Sequence, residues 1–151
     1  MLFVLFQVGS DQYAVPASRV IEVLPLVLFK RIPQSPRGVA GAFNYRGTAV
    51  PVVDLNDMLL GTPAAERLST RVLLVRYPME AGTEKILGLI AERATETLRR
   101  DESDFAEPGI TPSGMSCLGR VCKGPHGLIQ WVEVENLLTP EMRDLLFHQP
   151  A

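Results

Sequence analysis

Cys117, Cys122 and His126 form a C-x4-C-x3-H run, the most ligand-like spacing in the chain. Structural zinc takes four ligands, usually with cysteines closer in sequence, so two thiols packed in a core explain the run better than a metal site. A Cys nucleophile served by His126 is the corresponding catalytic reading, and it lacks any supporting motif. Glu92 and Glu96 could share one face of a strand or helix, yet no partner for acid–base work is evident near them. His148, the second histidine, sits near the end of the sequence with nothing around it that suggests a role. The chain has no Gly-rich phosphate loop, no G-x-S-x-G and no H-E-x-x-H. This poverty of acids, bases and nucleophiles shifts the weight from catalysis to binding.

The stretch Asn44-Tyr45-Arg46-Gly47 offers recognition chemistry instead. Asn44 and Gly47 supply turn propensity, so the chain can reverse here and hold Arg46 outward. A guanidinium is permanently charged and presents a rigid fork of donors to a carboxylate or to backbone carbonyls. The plain alternative is a structural ion pair with Glu22 or Asp54 that merely steadies the turn.

The elements that must position this arginine are mainly strands, punctuated by turns at the spacing of barrels or sandwiches. Phe3 to Val8 and Tyr13 to Val15 read as a hairpin across Gly9-Ser10-Asp11-Gln12, and Pro16 opens a helical turn over Ala17 to Ile21. Val23 to Arg31 reads as a further extended run interrupted by Pro25, and Gln34 to Gly41 as a loop. Val50, Val52 and Val53 form the strand after Arg46, and Asp54 caps a short helix from Leu55 to Leu60 that Gly61 stops. A loop over Thr62 to Ser69, a strand over Thr70 to Tyr77, a tip from Pro78 to Glu84 and a strand system over Lys85 to Arg99 follow. Arg100 to Ser116 is the longest irregular segment; Cys117 to Cys122 and Leu128 to Val134 resume strands, and Pro140 to Phe147 forms a last helix. Trp131 reads as core, not as a stacking platform.

A chain of 151 residues is one ordinary domain that needs neither metal nor disulfide to fold. It is 46% hydrophobic and 21% charged, with 15 basic and 17 acidic residues and a net charge of −2. The only dense basic pairs are Lys30-Arg31 and Arg99-Arg100, and Asp101, Glu102 and Asp104 offset the second, which argues against nucleic acid. With 7% aromatics, a barrel that binds nucleic acid or a small ligand is the weaker alternative function. Met1 to Phe6 lacks the basic flank and cleavage pattern of a signal peptide, and no apolar run is long enough to span a bilayer, so a cytosolic location is expected.

Taken together with Arg19-Val20-Ile21-Glu22-Val23, Ile32-Pro33-Gln34-Ser35-Pro36, Gly38-Val39-Ala40-Gly41 and Leu87-Gly88-Leu89-Ile90, the stretch from Asn44 to Leu55 resembles the CheW family, the coupling proteins of bacterial chemosensory arrays. The resemblance runs over nearly the whole chain, from the opening strand to Gly127–Thr139, and implies a single domain over residues 1–151. The fold it implies is mostly β: two small five-stranded SH3-like barrels sharing an apolar core, with short helices. The activity it implies is a non-enzymatic adaptor without cofactor, joining the cytoplasmic hairpin tip of a chemoreceptor to the regulatory domain of a CheA-like histidine kinase.

By that resemblance Arg46 and Glu22 lie on the partner-docking face, and Val20 and Glu22 match positions near the surface that meets the kinase, with the residues not divided between kinase and receptor. Gly41, Asn44, Arg46 and Gly47 match one side of a receptor groove, and Leu87 and Gly88 the other. A Glu22–Arg46 pair would orient both side chains before binding. Two departures stand out: Ile90-Ala91-Glu92-Arg93-Ala94 replaces the usual Val-Asp-x-Val, and Tyr45 stands where an aliphatic residue is usual. Flagellar chemotaxis and an accessory chemosensory array are both compatible with this pattern.

Overall fold

The computed structural model describes residues 1–108 and 117–147. Among the described residues nine strands fall into two sets of five, because one of them belongs to both. That strand is β7 (Glu84–Arg99), 16 residues long. Its first half pairs antiparallel with β6 (Arg71–Pro78) and parallel with β5 (Thr48–Asp54). Next to these lie β3 (Val20–Pro25) on β6 and β4 (Val39–Tyr45) on β5. Its second half pairs with β1 (Leu2–Val8), which continues through β2 (Asp11–Pro16) to β9 (Gly127–Val132) and β8 (Leu118–Gly124).

Neither set is closed by a ladder, yet a single bridge completes the circuit in each. Lys30, a few residues beyond β3, pairs with Ala42 of β4, and Ala106, beyond β7, pairs with Val121 of β8. Two backbone hydrogen bonds make each closure, Lys30 N–H to Ala42 O at 2.8 Å and its reciprocal at 2.9 Å, with both bonds of the Ala106–Val121 pair at 2.8 Å.

Alternation along the strands distributes the core. Successive side chains point to opposite faces, so a strand buried on both sides is apolar almost without break. Val72 and Leu74 fill the β3–β7 barrel with Val50, Val52 and Ile90, whereas Leu73, Val75 and Tyr77 face the other way. Phe3 and Leu5 fill the second barrel with Phe105, Cys122 and Ile129, whereas Val4, Phe6 and Val8 turn outward from it. The outward sets meet in one shared core with Val53, Leu55, Leu87, Leu89 and Met142. The expected two-barrel architecture around a common apolar core is therefore present.

The helices follow their capping chemistry. Asp54 accepts from the backbone N–H groups of Asn56 and Asp57 at the start of α1 (Leu55–Leu60), and Gly61 ends it in the left-handed conformation at φ 80°. The final helix α2 (Pro140–Phe147) packs Met142 into the shared core. Three sequence expectations give way. The helical turn is a shorter 3-10 turn, Ala17–Arg19, because Val20 already pairs with Val75 in β3. The extended run does not reach Arg31: β3 ends at Pro25, whose ring removes a ladder donor. The loop before Arg46 ends earlier than expected, since β4 starts at Val39. Of the irregular segment Arg100 to Ser116, residues 109–116 lie outside the described residues, as does His148. No helix among the described residues is long and apolar enough to cross a membrane.

Candidate docking face

Arg46 occupies the tip of the β4–β5 hairpin. Tyr45 pairs with Thr48, leaving Arg46 and Gly47 as a two-residue loop with φ of 51° and 88°. Positive φ at both central positions is the mark of a type I′ turn, whose twist matches that of the flanking strands. Asn44 Oδ1 accepts from the Gly47 N–H at 2.8 Å and closes the turn. Gly47 adopts this backbone freely, but Arg46 does so at a cost of about 1 kcal/mol, a strain characteristic of functional positions. The turn leaves the Arg46 side chain 76% exposed.

Glu22 approaches from β3. A register shift between Val20 and Glu22 in the β3–β6 pairing places it there, and its side chain is 36% exposed. One carboxylate oxygen, Oε1, receives two donors: Arg46 Nη2 at 3.2 Å and the Tyr45 hydroxyl at 2.6 Å. The Arg46 guanidinium also lies over the Tyr45 ring, 5.1 Å from its centroid. Phe43 supports that ring edge-on, and Phe29 in turn supports Phe43. The hydrogen bond to Glu22 holds the Tyr45 phenol above its ordinary pKa. The pairing of Glu22 with Arg46 read from the sequence is thus formed, and Asp54 is instead committed to α1 and to the Ala64 N–H. Tyr45 was missed as a member of this cluster; its departure from the usual aliphatic residue was the signal.

The remaining expected site residues divide by exposure. Asn44 and Gly47 are exposed beside Arg46, and Val20 is half-buried against the shared core. Gly41, Leu87 and Gly88 are buried in the unpartnered chain, each packed against the protein's own residues. Leu87 packs in the shared core at 0% exposure. A Cβ on Gly88 would come within 3.0 Å of Val52 and 3.2 Å of Val72, so this glycine serves strand packing. A Cβ on Gly41, where φ is 146°, would overlap the Lys30 carbonyl oxygen, so this glycine admits the bridge that closes its barrel.

The candidate chemistry of the thiols does not assemble. Cys117 lies in the shared core and Cys122 inside the second barrel; both are free, and burial raises the pKa of both thiols. His126 is exposed in the β8–β9 turn. Trp131 packs edge-on against Phe3 and Phe105 at 5.1 Å each, with Arg120 over its outer face. No group of three His, Cys, Asp or Glu side chains among the described residues gathers to hold a metal ion.

The fold thus pairs two barrels, and its candidate site is an exposed arginine braced by Glu22 and Tyr45. Residues 2–142 match the CheW-like domain family, and the chain belongs to it. It is 31% identical over 103 residues to the chemotaxis protein CheW of Helicobacter pylori, a match covering 68% of this chain and 59% of that relative. It is 25% identical over 143 residues to the chemotaxis protein CheW of Rhizobium meliloti, covering 93% and 89% of the two chains. The fold is that of the scaffolding protein TtCheW from Thermoanaerobacter tengcongensis: the TM-score is 0.80 at 22% identity, over 93% of this chain and 89% of that one.

Proposed function

We propose that this chain is a non-catalytic adaptor of a chemosensory pathway, coupling the cytoplasmic hairpin tip of a chemoreceptor to the regulatory domain of a CheA-like histidine kinase. Membership of the CheW-like family supports the coupling role. The observation that carries the docking face is Arg46, held outward by a strained turn and braced by Glu22 and Tyr45. Orientation before binding lowers the entropy lost when the side chain meets a partner. Val20, Glu22, Asn44, Arg46 and Gly47 form the exposed or half-exposed part of that face. The mechanism is geometric: the adaptor holds two partners in register, and its differential affinity for their conformations passes the signal. Single contacts of this kind have modest area, with affinity on the order of micromolar, and an array multiplies them.

The test is reconstitution of the kinase with receptor-containing membranes and this chain. The adaptor role predicts that receptor control of kinase activity requires the chain and is lost with Arg46→Glu at unchanged fold. Receptor control that is equally strong without the chain would overturn it.

A further inference from the structure

Two donors compete for one oxygen of Glu22. An arginine beside a free carboxylate favours a bidentate fork, with two parallel N–H···O bonds. Here Arg46 makes one such bond, through Nη2 at 3.2 Å, and the shorter contact on the same oxygen, 2.6 Å, comes from the Tyr45 hydroxyl. The ring that carries this hydroxyl is not free to swing away, since it leans on Phe43 and Phe43 on Phe29. It also lies beneath the guanidinium and sets the height at which Arg46 can sit. Glu22 Oε2 and the other N–H groups of Arg46 make no hydrogen bond among the described residues.

We propose that Tyr45 is a positioning residue that sets partner specificity: it engages Glu22 itself, keeps the Arg46–Glu22 pair monodentate, and leaves the rest of the guanidinium fork open for a carboxylate on the partner protein. This rests on the adaptor reading and deepens it. An aliphatic residue at position 45 could neither donate to Glu22 nor lie under the guanidinium, so Arg46 would close on Glu22 and present less of its charge outward. The face built here therefore selects acidic partner surfaces more strongly than one with a leucine at this position. The raised pKa of the phenol agrees with a hydroxyl engaged by a carboxylate.

The test is a double-mutant cycle on affinity for the kinase regulatory domain and for the receptor hairpin tip, using wild type, Tyr45→Phe, Glu22→Gln and the double variant. Tyr45→Phe keeps the ring and its stacking, so a single cooperative thermal transition close to that of wild type serves as the control for an intact fold. The expected result is a loss of roughly 3- to 10-fold in affinity for Tyr45→Phe, the scale of one net hydrogen bond to the partner that is forfeited when the guanidinium closes on Glu22. In the Glu22→Gln background the same change has less than about a twofold effect, because Tyr45 acts through Glu22. Equal losses in both backgrounds would mean that the phenol touches the partner or only supports the fold, and would overturn the proposal; so would no loss at all.

Ultraviolet difference titration against Tyr45→Phe reads the Tyr45–Glu22 contact without any partner. The phenol titrates above its ordinary range in wild type and returns toward it in Glu22→Gln; identical titration in both overturns the contact. If wild type binds neither partner, the adaptor reading fails and the specificity claim falls with it. If wild type binds and the cycle is additive, only the role of Tyr45 falls.

Discussion

Replacing Gly41 by alanine separates two meanings of a glycine. As the floor of a docking groove, Gly41→Ala would block a partner and leave stability alone. As the residue that admits the closing bridge of its barrel, it would do the reverse. A Cβ there would overlap the Lys30 carbonyl oxygen and stand 3.1 Å from the Phe29 Cβ, on a backbone whose φ is 146°. Relief requires Lys30 to withdraw from Ala42, which breaks both hydrogen bonds of the bridge. Two backbone hydrogen bonds contribute about 1 kcal/mol net each, and the unfavourable backbone adds about 1 kcal/mol more, for a loss of about 3 kcal/mol. For a chain of this size that corresponds to a fall in Tm of roughly 6 to 12 °C. Calorimetric melting of wild type and Gly41→Ala measures it, with titration of the kinase regulatory domain well below the transition as companion. The expected variant melts early and still binds through Arg46. A variant that melts with wild type but has lost binding would mean that Gly41 lines the groove and does not hold the bridge.

Three further perturbations probe the frame around the site. Val52→Asp buries an unpaired charge at a position with 0% exposure, so its urea midpoint should fall by an amount equivalent to roughly 3 kcal/mol or more; wild-type unfolding would remove β5 from the core. Arg93 lies at φ 51° in β7, where the strand passes from one barrel to the other, so Arg93→Val should cost roughly 1 to 2 kcal/mol more than Arg93→Gly in the same assay, and equal costs would mean that the backbone there is unstrained. Burial raises the Asp54 pKa above its ordinary value, against the opposing pull of three backbone N–H donors. The native state thus holds that proton more tightly than the unfolded chain, and the site gains native stability as pH falls through the raised pKa toward the unfolded value of about 3.9. Stability of wild type relative to the non-titrating Asp54→Asn should accordingly increase on acidification through that window; a decrease would contradict the direction of the shift.

What the sequence revealed followed from how local each signal is. α1 was readable to its ends because Asp54 and Gly61 act within a few residues of the helix they bound. β1, β6 and α2 were readable from short-range apolar pattern. The two closing bridges left no such trace: each is a single residue pair joining a strand to an irregular segment, Lys30 beyond β3 and Ala106 beyond β7, and one isolated pair has no periodicity to read. The glycines illustrate a different limit. Gly41 and Gly88 do report close approach, as read, but a glycine cannot say whether what approaches is a partner or the chain's own Lys30, Val52 and Val72. Charge alone offered Arg46 two partners, Glu22 and Asp54, and the choice of Glu22 came from family resemblance, since nothing in their separation along the chain implies contact. Tyr45 was visible only as an oddity of residue type, and its role needed the 2.6 Å contact that brings β3 and β4 together.

The most direct test of the account is isothermal titration of this chain, wild type and Arg46→Glu, into the regulatory domain of the CheA-like kinase from the same organism and into its receptor hairpin tip. Saturable binding of wild type to at least one of them, on the order of micromolar for such an interface, is the expected result. Arg46→Glu is expected to lose at least tenfold in affinity, with unfolding within about 0.5 kcal/mol of wild type. Full-strength binding by a folded Arg46→Glu variant would contradict the docking role of Arg46.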